Sequence, residues 1–279
     1  MNFERYQCQE FIEAELGCAS PELLSQFKAQ IDDYKLPQEK VNTLNSASVN
    51  DSVDIFYKSS VTFLEALFGM KRNHSSWSIV KLYYSIFYSL RAYLLVNGYA
   101  PFKNGKGGIY FIKVENGARL IKKSTKNVKG DHKVTIKAFS DFFDGHKLNT
   151  NKIDEGTIFD WAMSCRELVN YRNASFIEPD YGYEAMPTIG TSCNDIDSLL
   201  KQYISSPYYS YCFDKKNSLL STAIVLLHEL VVLYRSKGVK FLSLERSKVL
   251  KQVIKKAGLS SSQLVNDIFC VSSDVFYNE

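Results

Sequence analysis

SWSIVKLYYSIFYSLRAYLLVNG, residues 76–98, reads as one long apolar helix, and its reading decides the fold class. At about 100° per residue, Trp77, Val80, Tyr84, Phe87 and Leu94 fall on one side of it, and Arg91 falls among them. A guanidinium stays charged at physiological pH. An arginine on a core-facing stripe therefore requires a carboxylate, a carbonyl, a phosphate or a subunit interface. Arg91 is either half of a structural ion pair or part of a binding site, and helical spacing alone leaves both readings open.

The 279 residues are enough for one large or two modest domains with a core that needs no staples. Apolar content of 45%, with 18 Tyr and 18 Phe and few Gly or Pro, predicts a globular chain with an aromatic-rich interior. Cys8, Cys18, Cys165, Cys193, Cys212 and Cys270 are scattered, with no C-x-x-C pair and no alternation with His. That pattern speaks against a zinc site and against a disulfide framework, and free, mostly buried thiols are expected. The start, MNFERYQCQEF, has no basic flank leading into a long apolar run, so no signal peptide is expected and the cytoplasm is the expected compartment. The apolar run Leu219 to Tyr234 carries His228 and Glu229 and is shorter than the ~20 residues of a membrane span. It reads as a core helix, and no membrane association is expected.

A net charge of +4 conceals an asymmetry. Residues 101–140 hold Lys103, Lys106, Lys113, Arg119, Lys122, Lys123, Lys126, Lys129, Lys133 and Lys137 against only Glu115 and Asp131. The segment carries +8 and the rest of the chain −4. A concentrated basic surface on a slightly acidic body is the electrostatic pattern of a polyanion binder. A solvated, lysine-coated hairpin would look the same in sequence, because no phosphate-cradling geometry is visible.

Along the chain, Ser20-Pro21-Glu22 opens a helical segment ending near Tyr34, Lys35 to Asn50 reads as a loop, and Ser52 to Met70 has i, i+3, i+4 apolar spacing. Asn97-Gly98 stops the long helix and Pro101 keeps it stopped. The period then changes. In GIYFIKVENGARLIKKS, residues 108–124, Asn116-Gly117 separates two β-prone runs, a strong hairpin signal. Helical patterning resumes from Val134 to Phe143 and from about Glu155 to Tyr171, with Asp154 as the expected cap. Further helices are expected at Asp195 to Ile204, Lys215 to Ser236, Ser243 to Ala257 and Ser261 to Phe269. The implied division is an N-terminal helical segment (1–51), a helical domain (52–178) carrying a basic β-hairpin insert at about 101–130, and a loop with a helical extension (179–279).

Familiar catalytic signatures are absent: no G-x-x-x-x-G-K-[ST], G-x-S-x-G, H-E-x-x-H or strand-linked G-x-G-x-x-G occurs. Neither a metal nor a cofactor is expected. Among the histidines, His228 reads as packed core, His146 as solvated and His74 as the head of the long helix. His132 stands at a helix start in the basic segment, where an anion is favoured. On the 155–171 helix, Ile158, Trp161, Cys165, Leu168 and Val169 form the expected buried face with Arg172 at its centre, and Arg166, Asn170 and Asn173 form a polar stripe.

Three elements in order, KLYYSIFYSLRAYLL (81–95), GDHKVTIKAFSDFF (130–143) and CRELVNYRNASF (165–176), resemble the HEPN superfamily of small helical nucleotide-binding and ribonuclease domains. The resemblance covers roughly residues 52–178 and implies a mainly α fold: an HEPN-like helical bundle with an inserted β-hairpin and a helical C-terminal extension. The family's ribonucleases use Arg, often followed by Asn, and then a His a few residues on, with two copies meeting across a dimer. Arg172-Asn173 matches the first half of that motif, but Ala174, Ser175, Phe176, Ile177 and Glu178 follow in place of the histidine. Arginine cannot shuttle the proton that metal-independent RNA cleavage requires, so His132 or Tyr171 would have to substitute. The resemblance thus implies an RNA- or nucleotide-binding protein of a toxin or anti-phage defence module, a homodimer or partner complex, with Arg172, His132 and Tyr171 as the catalytic candidates. Binding would fall to Asn173, Arg166, Asn170, Arg91, Arg119, Lys122, Lys123 and Lys133. An active ribonuclease and a non-enzymatic assembly subunit are the alternatives.

Overall fold

Pro21 and Pro37 punctuate the first forty residues into short pieces: α1 (Gln7–Glu15), a 3-10 turn opening on Pro21, and α2 (Lys28–Asp33). The structure, a computed structural model, describes residues 5–18, 20–105, 108–178, 183–189 and 192–270. After Pro37 come the two longest helices, α3 (Val41–Met70) and α4 (Ser75–Val96). α3 starts eleven residues before the apolar spacing predicts, because the polar stretch 41–51 buries Leu44, Ala47, Ser48 and Asp51. Gly98, at φ +77°, closes α4 in the left-handed conformation that glycine adopts without penalty.

An antiparallel sheet follows, in the order β1 (Tyr99–Lys103), β2 (Ile109–Lys113), β3 (Ile121–Lys122). Tyr99 pairs with Lys113 and Lys103 with Ile109 across the first hairpin, and Phe111 pairs with Ile121 across the second. Asn116-Gly117 does lie between two strands, but the predicted hairpin is the second half of a three-stranded sheet. The helix has ended at Val96, and Pro101 sits inside β1, an edge strand, which tolerates the missing donor. The remaining elements are α5 (Asp131–Phe142), α6 (Ile158–Glu167) with a π turn (Leu168–Arg172), α7 (Cys193–Ser205), α8 (Ser218–Ser236), α9 (Leu244–Lys256) and α10 (Gln263–Phe269). The fold is mainly helical with a small sheet, as the periodicity implies.

The chain packs as two units, neither contiguous in sequence: Met1–Ile55 with Leu90–Phe142, and Phe56–Ser89 with Phe143–Glu279. In the first unit, Ser48 Oγ donates to the Leu95 carbonyl and Ser52 Oγ to that of Ala92, each at 2.7 Å, so small side chains bring the α3 and α4 backbones close. Asp51 accepts from the Gln7 and Cys8 amides at 2.9 Å and thereby caps α1. Tyr99 stacks on Phe142 with ring centroids 4.2 Å apart, which ties the sheet to α5.

In the second unit, Ser59 Oγ bonds the Ser85 carbonyl at 2.8 Å and the hydroxyl of Ser89 at 2.8 Å, all fully buried. Phe56 meets Tyr234 and Phe241 edge-on, and α8 is buried almost throughout, as a core helix should be. α4 and α8 are both long and apolar enough to cross a membrane, but 72% of each apolar window is buried within the protein. The α6 cap is Thr157, in a capping box with Asp160; Asp154 instead sits at φ 52° in the preceding turn and pairs with Lys215. His146 is not solvated: its side chain is 9% exposed, and its Nε2 lies 3.0 Å from Glu229, whose other oxygen accepts from the Tyr209 hydroxyl at 2.7 Å. The Leu148 amide donates to Nδ1 of His146, so Nε2 carries the proton shared with Glu229.

Candidate functional site

The basic segment lies in the first unit, and its described lysines, Lys133 apart, separate into two groups. Lys103 pairs with Asp131, Lys113 with Glu115, and Lys123 and Lys137 share Asp141. Lys123 also lies 4.2 Å from the centroid of Phe142 and is only 17% exposed, so this predicted binding lysine is spent on structure. Lys122, Lys126 and Lys129 make no ion pair among the described residues and line an open concavity of about 700 Å³. Thr125 and Val128 close the turn that sets Lys126 and Lys129 apart, through the Thr125 amide on the Val128 carbonyl and the Val128 amide on Thr125 Oγ1. Gly108 forms part of the wall at φ +107°, where a Cβ would come within 2.1 Å of Ser124 Oγ; no other residue fits without displacing that side chain. Ser124 Oγ is held there by the Ile109 amide at 3.1 Å.

Adjoining the concavity is a smaller cleft of about 270 Å³, and Lys103, Gly105, Ile109 and Asp131 line both. Arg91 stands on the wall of this cleft with its guanidinium 4.9 Å from the centroid of Tyr6, so part of its required partner is an aromatic face. Arg5 engages both oxygens of Glu13, at 2.7 and 2.8 Å, and Asp51 contributes its carboxylate. Burial pushes the Asp51 carboxyl above the ordinary carboxylate range, against the pull of the Cys8 and Gln7 amides. Gln9 clamps α1 to the end of β1, donating to the Lys103 carbonyl and accepting from the Lys103 amide. Arg5, Tyr6, Gln9 and Asp51 were not among the residues singled out from sequence. They lie in the polar N-terminal segment, and only folding brings them to Arg91.

The remaining basic candidates of this unit stand outside both cavities. Arg119 and Lys133 are exposed, and the backbone of Arg119 pairs with that of Lys35. His132, half-buried, follows Asp131 in the first turn of α5 and lines neither cavity.

The arginine motif lies in the second unit. The Asn173 amide bonds the Leu168 carbonyl at 3.0 Å, an i to i+5 closure that widens the last turn and shifts the phase of every residue after it. Arg172 therefore projects outward, 65% exposed and 3.5 Å from Glu167, rather than at the centre of the buried face. Leu168, which opens that turn, is 39% exposed rather than part of a buried face. Arg166 is the arginine that turns inward: 12% exposed, with its guanidinium 4.9 Å from the Tyr83 centroid and 5.8 Å from that of Tyr171. Tyr171 itself is 74% exposed. Asn170 is half-buried, and Asn173 donates to the Tyr183 hydroxyl at 3.3 Å. His132 belongs to the first unit and Arg172 and Tyr171 to the second.

Among the described residues no group of three or more His, Cys, Asp or Glu side chains gathers into a metal site. All six cysteines are free; Cys8, Cys165 and Cys212 are buried and the other three half-buried. No family model, no curated protein and no solved structure matches the chain.

Proposed function

We propose that this protein binds RNA or another nucleotide-bearing ligand through the basic β insert. The observation that carries this reading is the concavity in which Lys122, Lys126 and Lys129 face an open space without a carboxylate partner. Among the described residues the other lysines of the insert, Lys103, Lys113 and Lys123, each pair with a carboxylate, so phosphate-binding capacity is concentrated in one place. The HEPN-like reading, with its expected place in a toxin or anti-phage defence module, is supported by the three resembling segments falling on α4, α5 and the end of α6.

Titration of single-stranded RNA against rising salt tests the reading. Neutralising about three phosphates gives a log–log slope near −2, so affinity should fall roughly 20-fold between ~50 and ~200 mM salt. The triple variant Lys122→Ala, Lys126→Ala, Lys129→Ala should bind weakly and with a flatter slope. Affinity indifferent to salt in the wild type rejects phosphate recognition by the insert. Cleavage of the same RNA that disappears in both Arg172→Ala and His132→Ala would instead establish the ribonuclease alternative. The assembly-subunit reading has one observation in its favour: Trp77 and Phe176, 52% and 45% exposed, pair edge-on with centroids 5.6 Å apart.

A further inference from the structure

We infer that the small cleft beside the lysine concavity takes the base and sugar of a single nucleotide whose phosphates lie over Lys122, Lys126 and Lys129. The ligand of this site is then a nucleoside polyphosphate, not an internal stretch of RNA. The inference rests on the phosphate-binding reading above and adds to it the identity of the group that the phosphates carry.

The two cavities adjoin, with Lys103, Gly105, Ile109 and Asp131 in both walls, but their electrostatics are opposite in kind. The charged side chains lining the cleft sum to zero, Arg5, Arg91 and Lys103 against Glu13, Asp51 and Asp131, and Arg5 is held by both oxygens of Glu13. On the shared rim Lys103 is paired with Asp131. Past that rim three lysines stand without an ion pair among the described residues, Lys122 lying 5.8 Å from the centroid of Tyr110. A phosphate gains little in a neutral cleft and much over unpaired ammonium groups, so a ligand spanning both places its uncharged part inward.

The cleft's walls suit a base better than an alkyl chain. Tyr6 and Phe111 offer aromatic faces, and the Arg91 guanidinium, already over Tyr6, is a planar cation on which a base stacks. Glu13 Oε1 already accepts from both Arg5 and Gln9, but the two oxygens of Asp51 each have one hydrogen bond and retain further acceptor capacity, which matches an exocyclic amine or a ribose hydroxyl. An alkyl chain would desolvate those carboxylates and give nothing back. A volume of about 270 Å³ stands at the small end of ligand sites and has room for one nucleoside rather than successive bases.

Calorimetric titration of the full chain with ATP, GTP, inorganic tripolyphosphate and geranyl diphosphate, beside a single-stranded RNA, tests this. ATP or GTP should bind at least ~10-fold tighter than tripolyphosphate, the increment expected from burying a base. In Ile109→Trp, which places an indole where the two cavities join, that ratio should fall to about 1, with the fold checked by circular dichroism. Equal affinity of ATP, GTP and tripolyphosphate in the wild type overturns the inference, and salt-dependent RNA binding in the same preparation would show that the phosphate reading outlives it. Geranyl diphosphate binding tighter than either nucleotide also overturns it, in favour of an apolar chain. Binding of none of these, RNA included, removes both readings together.

Discussion

At the residue scale, the internal arginines find partners of a kind that sequence spacing does not specify. Arg91 and Arg166 each place the guanidinium over a tyrosine ring, Tyr6 and Tyr83, so that a charge on an apolar surface is met by the negative face of an aromatic ring. Glu178 shows the complementary solution for an anion. It accepts from the Ser76 amide and from the Ser76 hydroxyl, both at 2.5 Å, at the start of α4, where four amides lack intrahelical partners. Burial pushes its carboxyl up, but the Ser76 hydroxyl and amide pull it down further, and the net position is below the ordinary carboxylate range. A carboxyl lowered in the folded state stabilises above its unfolded pKa and loses that contribution as pH falls through the folded one. Glu178→Gln should therefore cost about 1 kcal/mol at neutral pH, with the gap to wild type closing toward acid. Urea unfolding at pH 7 and at pH 3.5 checks it; indistinguishable midpoints at pH 7 would show that the carboxylate does not cap the helix.

At the scale of elements, α3 and α4 are joined by a seam of small hydroxyl residues. Ser48 with Leu95 and Ser52 with Ala92 lie in the first unit, and Ser59 with Ser85 and Ala66 with Ser78 in the second, the partners descending as the α3 residues ascend. That antiparallel seam was the least legible part of the fold. The hydrophobic stripe of residues 76–98 shows a buried helix, but serine is read as a surface or cap residue, so the polar start of α3 resembles a loop. The C-terminal helices were legible because all have an apolar period and three of the four a side-chain cap: Ser192, Ser243 and Ser262 accept from the amide three residues on, while α8 has only its apolar run. The candidate site was half legible. Charge density marks the insert, but which lysines are free depends on Asp131 and Asp141, whose reach only folding sets. Arg172 was misplaced for another reason: 3.6 periodicity holds until a π turn adds a residue to the last turn. The seam has a direct test. Ser59→Leu should destabilise by roughly 2 to 3 kcal/mol through overpacking, and Ser59→Ala by about 1 kcal/mol through loss of buried hydrogen bonds. A tolerated leucine would mean that the helices are not in close contact at that point.

At the scale of the whole molecule, the interior stores a set of acids that folding keeps protonated. Burial pushes the Cys165 thiol up to about 12 and the Cys212 thiol to about 11, and raises Cys8 well above the ordinary range. It raises the buried phenols of Tyr83 and Tyr203 in the same way, and that of Tyr34, where Glu15 adds to the effect. A thiol or phenol raised in the folded state has no effect on stability while both states are protonated. Once pH passes the unfolded pKa, ~9 for a thiol and ~10 for a phenol, the unfolded chain releases a proton that the native one retains, and stability falls with each further step. These groups occur in both units, so neither should escape. Stability should be level from about pH 7 to about pH 8.5 and then drop, each deeply buried thiol costing on the order of 2 kcal/mol by a pH ~1.5 units above the ordinary thiol pKa. Urea midpoints at pH 7.5 and 10.5 measure this. In Cys165→Ala with Cys212→Ala, the alkaline loss should shrink in the second unit by the thiol share, while cavity formation lowers the midpoint at both pH values alike. Equal wild-type midpoints at pH 7.5 and 10.5 would mean that water reaches these side chains in the folded protein, and that the aromatic core is far looser than its packing indicates.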